Sequence, residues 1–203
     1  MLTREDFLQK MTHVATLFTA NIQELSDIDA RFGDGDHGIT VGKIADLITA
    51  HIANVGDKSI KDFFGDLGTA IVNVKGGSAG PLYGTMIGGL GECLTGDETE
   101  IDATTLKAMF ASMQEELGFI SNAKVGDKTM MDSLIPAVEA AQGAPDDIAA
   151  IFAAATAAAD AGCKASEGFV SKFGRARSYK EQTIGTPDAG AASTALFIKG
   201  LAQ

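Results

Sequence analysis

Positive charge is scarce in this sequence. Its 203 residues carry 16 lysines and arginines against 27 aspartates and glutamates, a formal net charge of −11, whereas phosphate-rich surfaces call for clustered basic side chains. Nucleic acid and anionic membranes are therefore excluded as partners, and any phosphate bound here must arrive with a metal or meet local donors. Cysteine is almost missing too. Cys93 and Cys163 are too few for a disulfide framework and show no metal-ligand spacing, which points to a reducing compartment. The N-terminus, MLTREDFLQKM, lacks an apolar signal core, and the longest apolar stretch, IAAIFAAATAAA, reads as too short to span a bilayer. The expectation is a soluble cytoplasmic protein with one domain over residues 1–203. No segment alternates branched and polar residues in the manner of a strand, and no internal repeat is visible.

Helical periodicity fills the chain instead. Phe7, Met11, Val14, Phe18, Ile22 and Leu25 recur every three or four residues, with Thr3 and Asp6 as a capping pair ahead of them. Similar segments follow at 38–53, 59–74, 81–94, 103–117, 129–141, 145–167 and 189–201, with Pro145 placed to start a helix. About eight helices result, and the fold class expected is all-α. The 24 glycines exceed what helix caps require. They gather at helix junctions: 33–38, 76–80, 126 and 185–190.

The first junction reads GDGDHG and matches the dinucleotide fingerprint G-x-G-x-x-G letter for letter. That reading needs a hydrophobic strand before the first glycine and no negative charge facing the pyrophosphate. The preceding NIQELSDIDARF has no such strand, and Asp34 and Asp36 carry the wrong charge. A phosphotransferase loop of the haloacid-dehalogenase type lacks its strand for the same reason. An EF-hand fails because Ala45 stands where its bidentate glutamate would fall. Asp29, Asp34 and Asp36 share no face of a helix or strand, so they converge only if a glycine-permitted loop curls them inward. Converged, they suit a hard divalent cation. A solvated acidic loop with Asp36 capping the next helix fits the local pattern equally.

Three further loops bear on the choice. KGGSAGPLYGT offers Gly76, Gly77, Ser78, Ala79 and Gly80 just before a helix near Pro81, either an anion site built from backbone N–H groups or a plain flexible loop. VGDKTMMDSL carries a charged turn into another helix, with Asp127 or Thr129 as the cap. FGRARSYKEQTIGTPDAGAAS brings Arg175, Arg177 and Lys180 beside a glycine turn in an otherwise acidic chain. A guanidinium suits a bound phosphate there, and a solvated basic loop is the plainer alternative.

Taken together and in order, DIDARFGDGDHG, GGSAGPLYGT, GDKTMMDSLIPA and GRARSY…IGTPDAGAAS resemble the nucleotide-binding L subunits of dihydroxyacetone kinases over nearly the whole chain. The resemblance implies a closed antiparallel bundle of eight helices with Mg-nucleotide, ADP or ATP, in the loops at one end. It implies two Mg²⁺ ions on Asp29, Asp34 and Asp36, and a nucleotide held by His37, Gly38, Ile39, Thr40, Gly77, Ser78 and Ala79. Met130 then lines the adenine pocket, Arg175 faces the phosphates as the catalytic arginine, and Asp188, Ala189 and Gly190 close the site. Relatives commonly read Asp-Pro-Gly at that turn, where this chain has Pro187 ahead of Asp188-Ala189-Gly190. Ser121 replaces a glycine near the adenosine, and Ile120 and Val125 also depart from the pattern. The partners implied are a K subunit holding dihydroxyacetone or another short ketose, a phosphohistidine carrier of the phosphotransferase system, and a second copy in a homodimer. The alternatives are a non-catalytic nucleotide-binding regulatory module and an ATP-dependent kinase of a different three- or four-carbon sugar.

Overall fold

A computed structural model describes all 203 residues. The first amphipathic stretch is two helices, not one: α1 (Arg4–Ala20) and α2 (Ile22–Asp29). Thr3 and Asp6 do form the expected capping box. The break comes at Asn21, whose side-chain amide donates to the Leu17 carbonyl at 2.7 Å and competes with the next turn of backbone. Seven more helices follow as α3 (His37–Ala53), α4 (Ile60–Val72), α5 (Ala79–Glu92), α6 (Ala103–Ile120), α7 (Met131–Gly143), α8 (Ile148–Ala165) and α9 (Ala189–Leu201). Their starts are chemical. Ser59, Asp102, Asp147 and Asp188 each accept a backbone N–H from the first turn of the helix they precede. Asp147 in this role moves the start of α8 past Pro145, which lies in the preceding loop. The all-α expectation holds, with one small addition. Two-residue strands β1 (Leu2–Thr3) and β2 (Glu100–Ile101) pair antiparallel and tie the N-terminus to the α5–α6 loop.

The helices close into a ring. Counting α1 and α2 as one bent stave, each stave packs on the next, and α9 returns to α1. Inside sits one core of 43 buried side chains, in which edge-to-face pairs link staves distant in sequence. Phe7 meets Phe64 at 5.7 Å, Phe18 meets Tyr83 at 6.0 Å, and Phe110 meets Phe152 at 6.0 Å. Each such ring stabilises the fold by roughly 1.5–3 kcal/mol through burial. The segment Ile148–Gly168 is, by length and composition, apolar enough to cross a membrane, because the helix runs well past the stretch judged too short from sequence. Here it packs against α7 and α9.

Closure has a topological result. In an up-and-down ring, every second connection falls at the same end. The α2–α3, α4–α5, α6–α7 and α8–α9 loops therefore gather, and these four carry the glycine-rich motifs.

Close approach between staves sets a testable contrast. A Cβ on Gly162 of α8 would clash with the Asp132 carbonyl of α7, whereas one on Gly65 of α4 meets nothing within 4 Å. Gly65→Ala should therefore raise stability by about 0.5–1 kcal/mol through helix propensity. Gly162→Ala should lower it by about 1–3 kcal/mol through overpacking. Thermal melts of both variants check the opposite signs.

Candidate functional site

The four gathered loops enclose a cavity of about 710 Å³, a size suited to a small molecule or cofactor. Its acidic wall comes from the α2–α3 loop. Asp29 ends α2, and its carbonyl accepts from Phe32 and Gly33 N–H, which curls the chain back. Gly35 then adopts φ +73, a conformation that costs a side-chain-bearing residue. The curl brings ligand oxygens of Asp29, Asp34 and Asp36 within 4.8 Å of one another. Asp36 occupies the cap position of α3 yet makes no side-chain capping bond, so the plain capping role weighed from sequence is not realised. Burial, then the neighbouring Asp34 and Asp29 charges, push the Asp36 carboxyl above the usual carboxylate range, with Arg175 opposing. One oxygen of Asp29 is buried without any hydrogen-bond partner. Such a cluster is unfavourable by itself and suits a hard divalent cation. Arg175 Nη1 meets Asp34 Oδ1 at 2.7 Å, both side chains being substantially exposed.

The second wall is the α4–α5 loop. Gly76 and Gly77 adopt positive φ, and a Cβ on Gly76 would strike the Thr40 hydroxyl beneath it. Gly77, Ser78 and Ala79 line the cavity. α5 starts at Ala79, earlier than Pro81, and Ser78 makes no side-chain capping bond. The first-turn N–H groups thus face the cavity end without a side-chain acceptor, a ready position for an anion.

His37 follows directly on Asp36 and is tied inward. Its Nε2 lies 2.8 Å from Ser193 Oγ, which lies 2.6 Å from the Tyr83 hydroxyl, itself 3.0 Å from Thr194 Oγ1. Burial lowers the His37 pKa and raises that of Tyr83, so both rings are neutral near pH 7. This network joins the acidic loop to α5 and α9. Of the other residues singled out in HGIT, Gly38 is packed on α2, Ile39 is 54% exposed, and the Thr40 hydroxyl is buried with no partner. Those three are not in the cavity lining, in contrast to His37.

The remaining walls are more apolar. Ser121 caps the C-terminus of α6 and lines the cavity, as do Ile120, Met130 and Phe173. Asp188, Ala189 and Gly190 also line it, but they are the cap and first turn of α9 and not a free turn. Asp127 does not cap α7. It accepts from Lys124 N–H and pairs with Lys172 at 2.6 Å, whereas Asp132 accepts from the Gly126 and Thr129 N–H groups and orders the turn. Arg175–Thr183 form a 3-10 segment, pinned to the acidic loop by Tyr179 on Phe32 at 5.2 Å. Arg177 and Lys180 are exposed and do not line the cavity. Lys128, Tyr83 and Phe173 are cavity residues that sequence reasoning passed over. Nothing in a Gly-Asp-Lys-Thr turn marks its lysine as a cavity residue, Tyr83 sits at helical spacing like a core aromatic, and Phe173 lies in the loop ahead of Arg175.

A DAK2-domain family model matches residues 31–203. This chain belongs to the DAK2-domain family. Among relatives of this DAK2 domain, L-erythrulose kinase of Pectobacterium atrosepticum is 34% identical over 88% of the chain. The ADP-binding subunit DhaL of a PEP-dependent dihydroxyacetone kinase of Listeria innocua is 31% identical over 90% of it. The chain spans 31% of the length of the erythrulose kinase and 87% of that of the Listeria subunit. The crystal structure of the C. freundii dihydroxyacetone kinase with AMP-PNP and Mg²⁺ superposes with a TM-score of 0.70 at 26% identity, over 96% of this chain and 33% of that one.

Asp188 gives the DAK2 domain a distinctive pH response. Partial burial, with the nearby Asp132 charge, raises its carboxyl from 3.8 to about 7, against the Ala191 N–H and Lys128, which pull it down. The unfolded chain ionises near pH 4, so stability from the protonated, partly buried acid is present below that and is lost as pH rises through 7. An asparagine in its place would keep the cap without the charge. Asp188→Asn should therefore flatten the fall in melting temperature between about pH 4 and 7 relative to wild type.

Proposed function

We propose that this chain is the nucleotide-binding L subunit of a short-ketose kinase, binding ADP or ATP with Mg²⁺ and passing a phosphoryl group to a sugar held on a separate K subunit. The observation that carries the reading is the convergence of three carboxylates within 4.8 Å at one wall of a cavity whose neighbouring wall is an uncapped helix N-terminus. The Listeria relative's name as an ADP-binding subunit and the AMP-PNP and Mg²⁺ complex of the C. freundii enzyme support it.

In this reading Asp29, Asp34 and Asp36 hold two Mg²⁺, which when bound neutralise the phosphate oxygens and the charge of the moving phosphoryl group. The N–H groups of Gly77, Ser78 and Ala79 cradle the phosphates, and His37 contacts them as a neutral donor fixed by Ser193 and Tyr83. Arg175, now on Asp34, faces the transferred group. Met130 and Ser121 flank the adenine, and Asp188 to Gly190 close that side. None of these residues needs to form a covalent intermediate. The phosphate source is a phosphohistidine carrier that recharges the nucleotide in place, and the subunit pairs with a second copy.

Dihydroxyacetone is the acceptor favoured by the Listeria and C. freundii relatives, and the 34% identity to L-erythrulose kinase favours a four-carbon ketose as the second reading. A purely regulatory nucleotide sensor is disfavoured, because it has little need of a carboxylate trio facing an arginine.

Asp36→Asn should lower Mg·ADP affinity by a factor on the order of 100, as loss of a metal ligand does at least what loss of its supporting shell does. Isothermal calorimetry with unchanged helical circular dichroism checks this, and unchanged affinity removes the metal assignment. Arg175→Ala should reduce turnover about a thousandfold, with Arg175→Lys nearly as poor because an ammonium keeps the charge but not the planar fork. The chain alone with ATP and dihydroxyacetone or erythrulose should give no sugar phosphate. Product should appear on adding a K subunit with the carrier system, and product from the lone chain would overturn the split-site reading.

A further inference from the structure

Lys128 combines three unusual features. It is only 4% exposed, it holds φ 60, where glycine is far more at ease, and it lines the cavity. Its ammonium is spent on main chain. Nζ donates to the Ser166 carbonyl at 2.7 Å and to the Thr186 carbonyl at 2.5 Å. A lysine carries three donors and strong hydration, so such burial persists only where the carbonyls and nearby charge replace water. Burial lowers its pKa, and the charges of Asp188, Asp132 and Glu167 oppose that shift.

Those two bonds join three separate segments. Lys128 stands in the α6–α7 turn, Ser166 follows α8, and Thr186 stands two residues before Asp188 at the start of α9. Ser166 is fully buried, and its hydroxyl accepts from Asp188 N–H at 2.9 Å. The first turn of α9 then lies directly on the turn that carries Lys128, because a Cβ on Gly190 would stand 3.3 Å from Met130 N. Removal of the ammonium would leave the Thr186 carbonyl without its donor and the Ser166 carbonyl with only the Phe169 N–H, and would release Pro187 to Gly190 from Met130.

We infer that Lys128 is a positioning residue, a buried strut whose bonds to Ser166 and Thr186 hold the Asp188–Gly190 turn against Met130 and so form the base-side half of the nucleotide cavity. The inference rests on the nucleotide reading above and deepens it. The strut acts on the base side, remote in the chain from the aspartates that would hold the metal. It should thus govern affinity for a whole nucleotide and leave affinity for its bare phosphates untouched.

The test is Lys128→Met, which keeps the length of the stem and removes the charge, titrated calorimetrically with Mg·ADP and with Mg·pyrophosphate beside wild type. Mg·ADP affinity should fall roughly ten- to a hundredfold, the range for losing charged hydrogen bonds in a buried setting. Mg·pyrophosphate affinity should be unchanged. Equal losses for both ligands, or a lowered melting temperature with unchanged Mg·ADP affinity, would overturn the strut. Wild type that binds pyrophosphate but discriminates nothing in favour of ADP would sink the nucleotide reading itself. Should Lys128→Met fail to fold, Ser166→Ala removes the contact to Asp188 N–H and should weaken Mg·ADP several-fold in the same selective manner. Unchanged ADP affinity in that variant would equally refute the proposal.

Discussion

Mutual repulsion among Asp29, Asp34 and Asp36 is the constraint to which the rest of the molecule answers. Carboxyl oxygens within 4.8 Å disfavour one another, and partial burial worsens the conflict. A flexible acidic loop would relieve it by splaying into water. This loop does not, because each end is fixed: Asp29 terminates α2, Asp36 opens α3, and His37 is anchored to Ser193, and through Ser193 to Tyr83, in the protein interior. Arg175 offers a partial remedy at Asp34, but a solvent-exposed pair of this kind is worth at most about 1 kcal/mol. The packed ring of helices therefore sustains a local electrostatic cost.

The ring is also why four loops scattered over the chain make one cavity. An up-and-down order with closure leaves no choice about which connections meet, so the position of a motif within the helix count fixes its place in space. Small residues allow the staves to approach closely where the loops need precise height. Gly162 on the Asp132 carbonyl is one such contact, and Asp132 in turn orders the Gly126–Thr129 turn through two N–H groups. Packing between α7 and α8 is thus continuous with the geometry of the cavity wall.

Much of this was legible in the sequence, and the gaps have physical reasons. Helix existence followed from periodicity, and Thr3 with Asp6 advertises the first helix chemically. The break at Asn21 was hidden because its hydrophobic periodicity continues unbroken from Phe18 to Leu25, and only a side-chain bond to Leu17 interrupts the backbone. The convergence of the aspartates was readable from the glycines around them. Lys128 was not, since nothing in Gly-Asp-Lys-Thr distinguishes a lysine pointing to water from one pointing to carbonyls 38 and 58 residues away in sequence. Gly38, Ile39 and Thr40 illustrate the converse. A motif matched as a block places one residue in the cavity and its three successors elsewhere, because a helix turns each residue about 100° from the last.

The pairing of β1 with β2 and the direction of α9 put both ends of the chain away from the loops that line the cavity. From Ala189 at the cavity to Leu201 is 13 residues, about 20 Å of helix, and the N-terminal strand is stitched to the α5–α6 connection on that same remote side. A polypeptide joined at either end would be leashed to the rear of the ring. To present anything to the mouth it would have to span at least one stave length, roughly six residues of extended chain, before it could turn inward. Such an arrangement tolerates fusion and separation equally. The mouth keeps the same shape whether what faces it arrives on a tether or diffuses freely, and only the local concentration of the arriving surface changes.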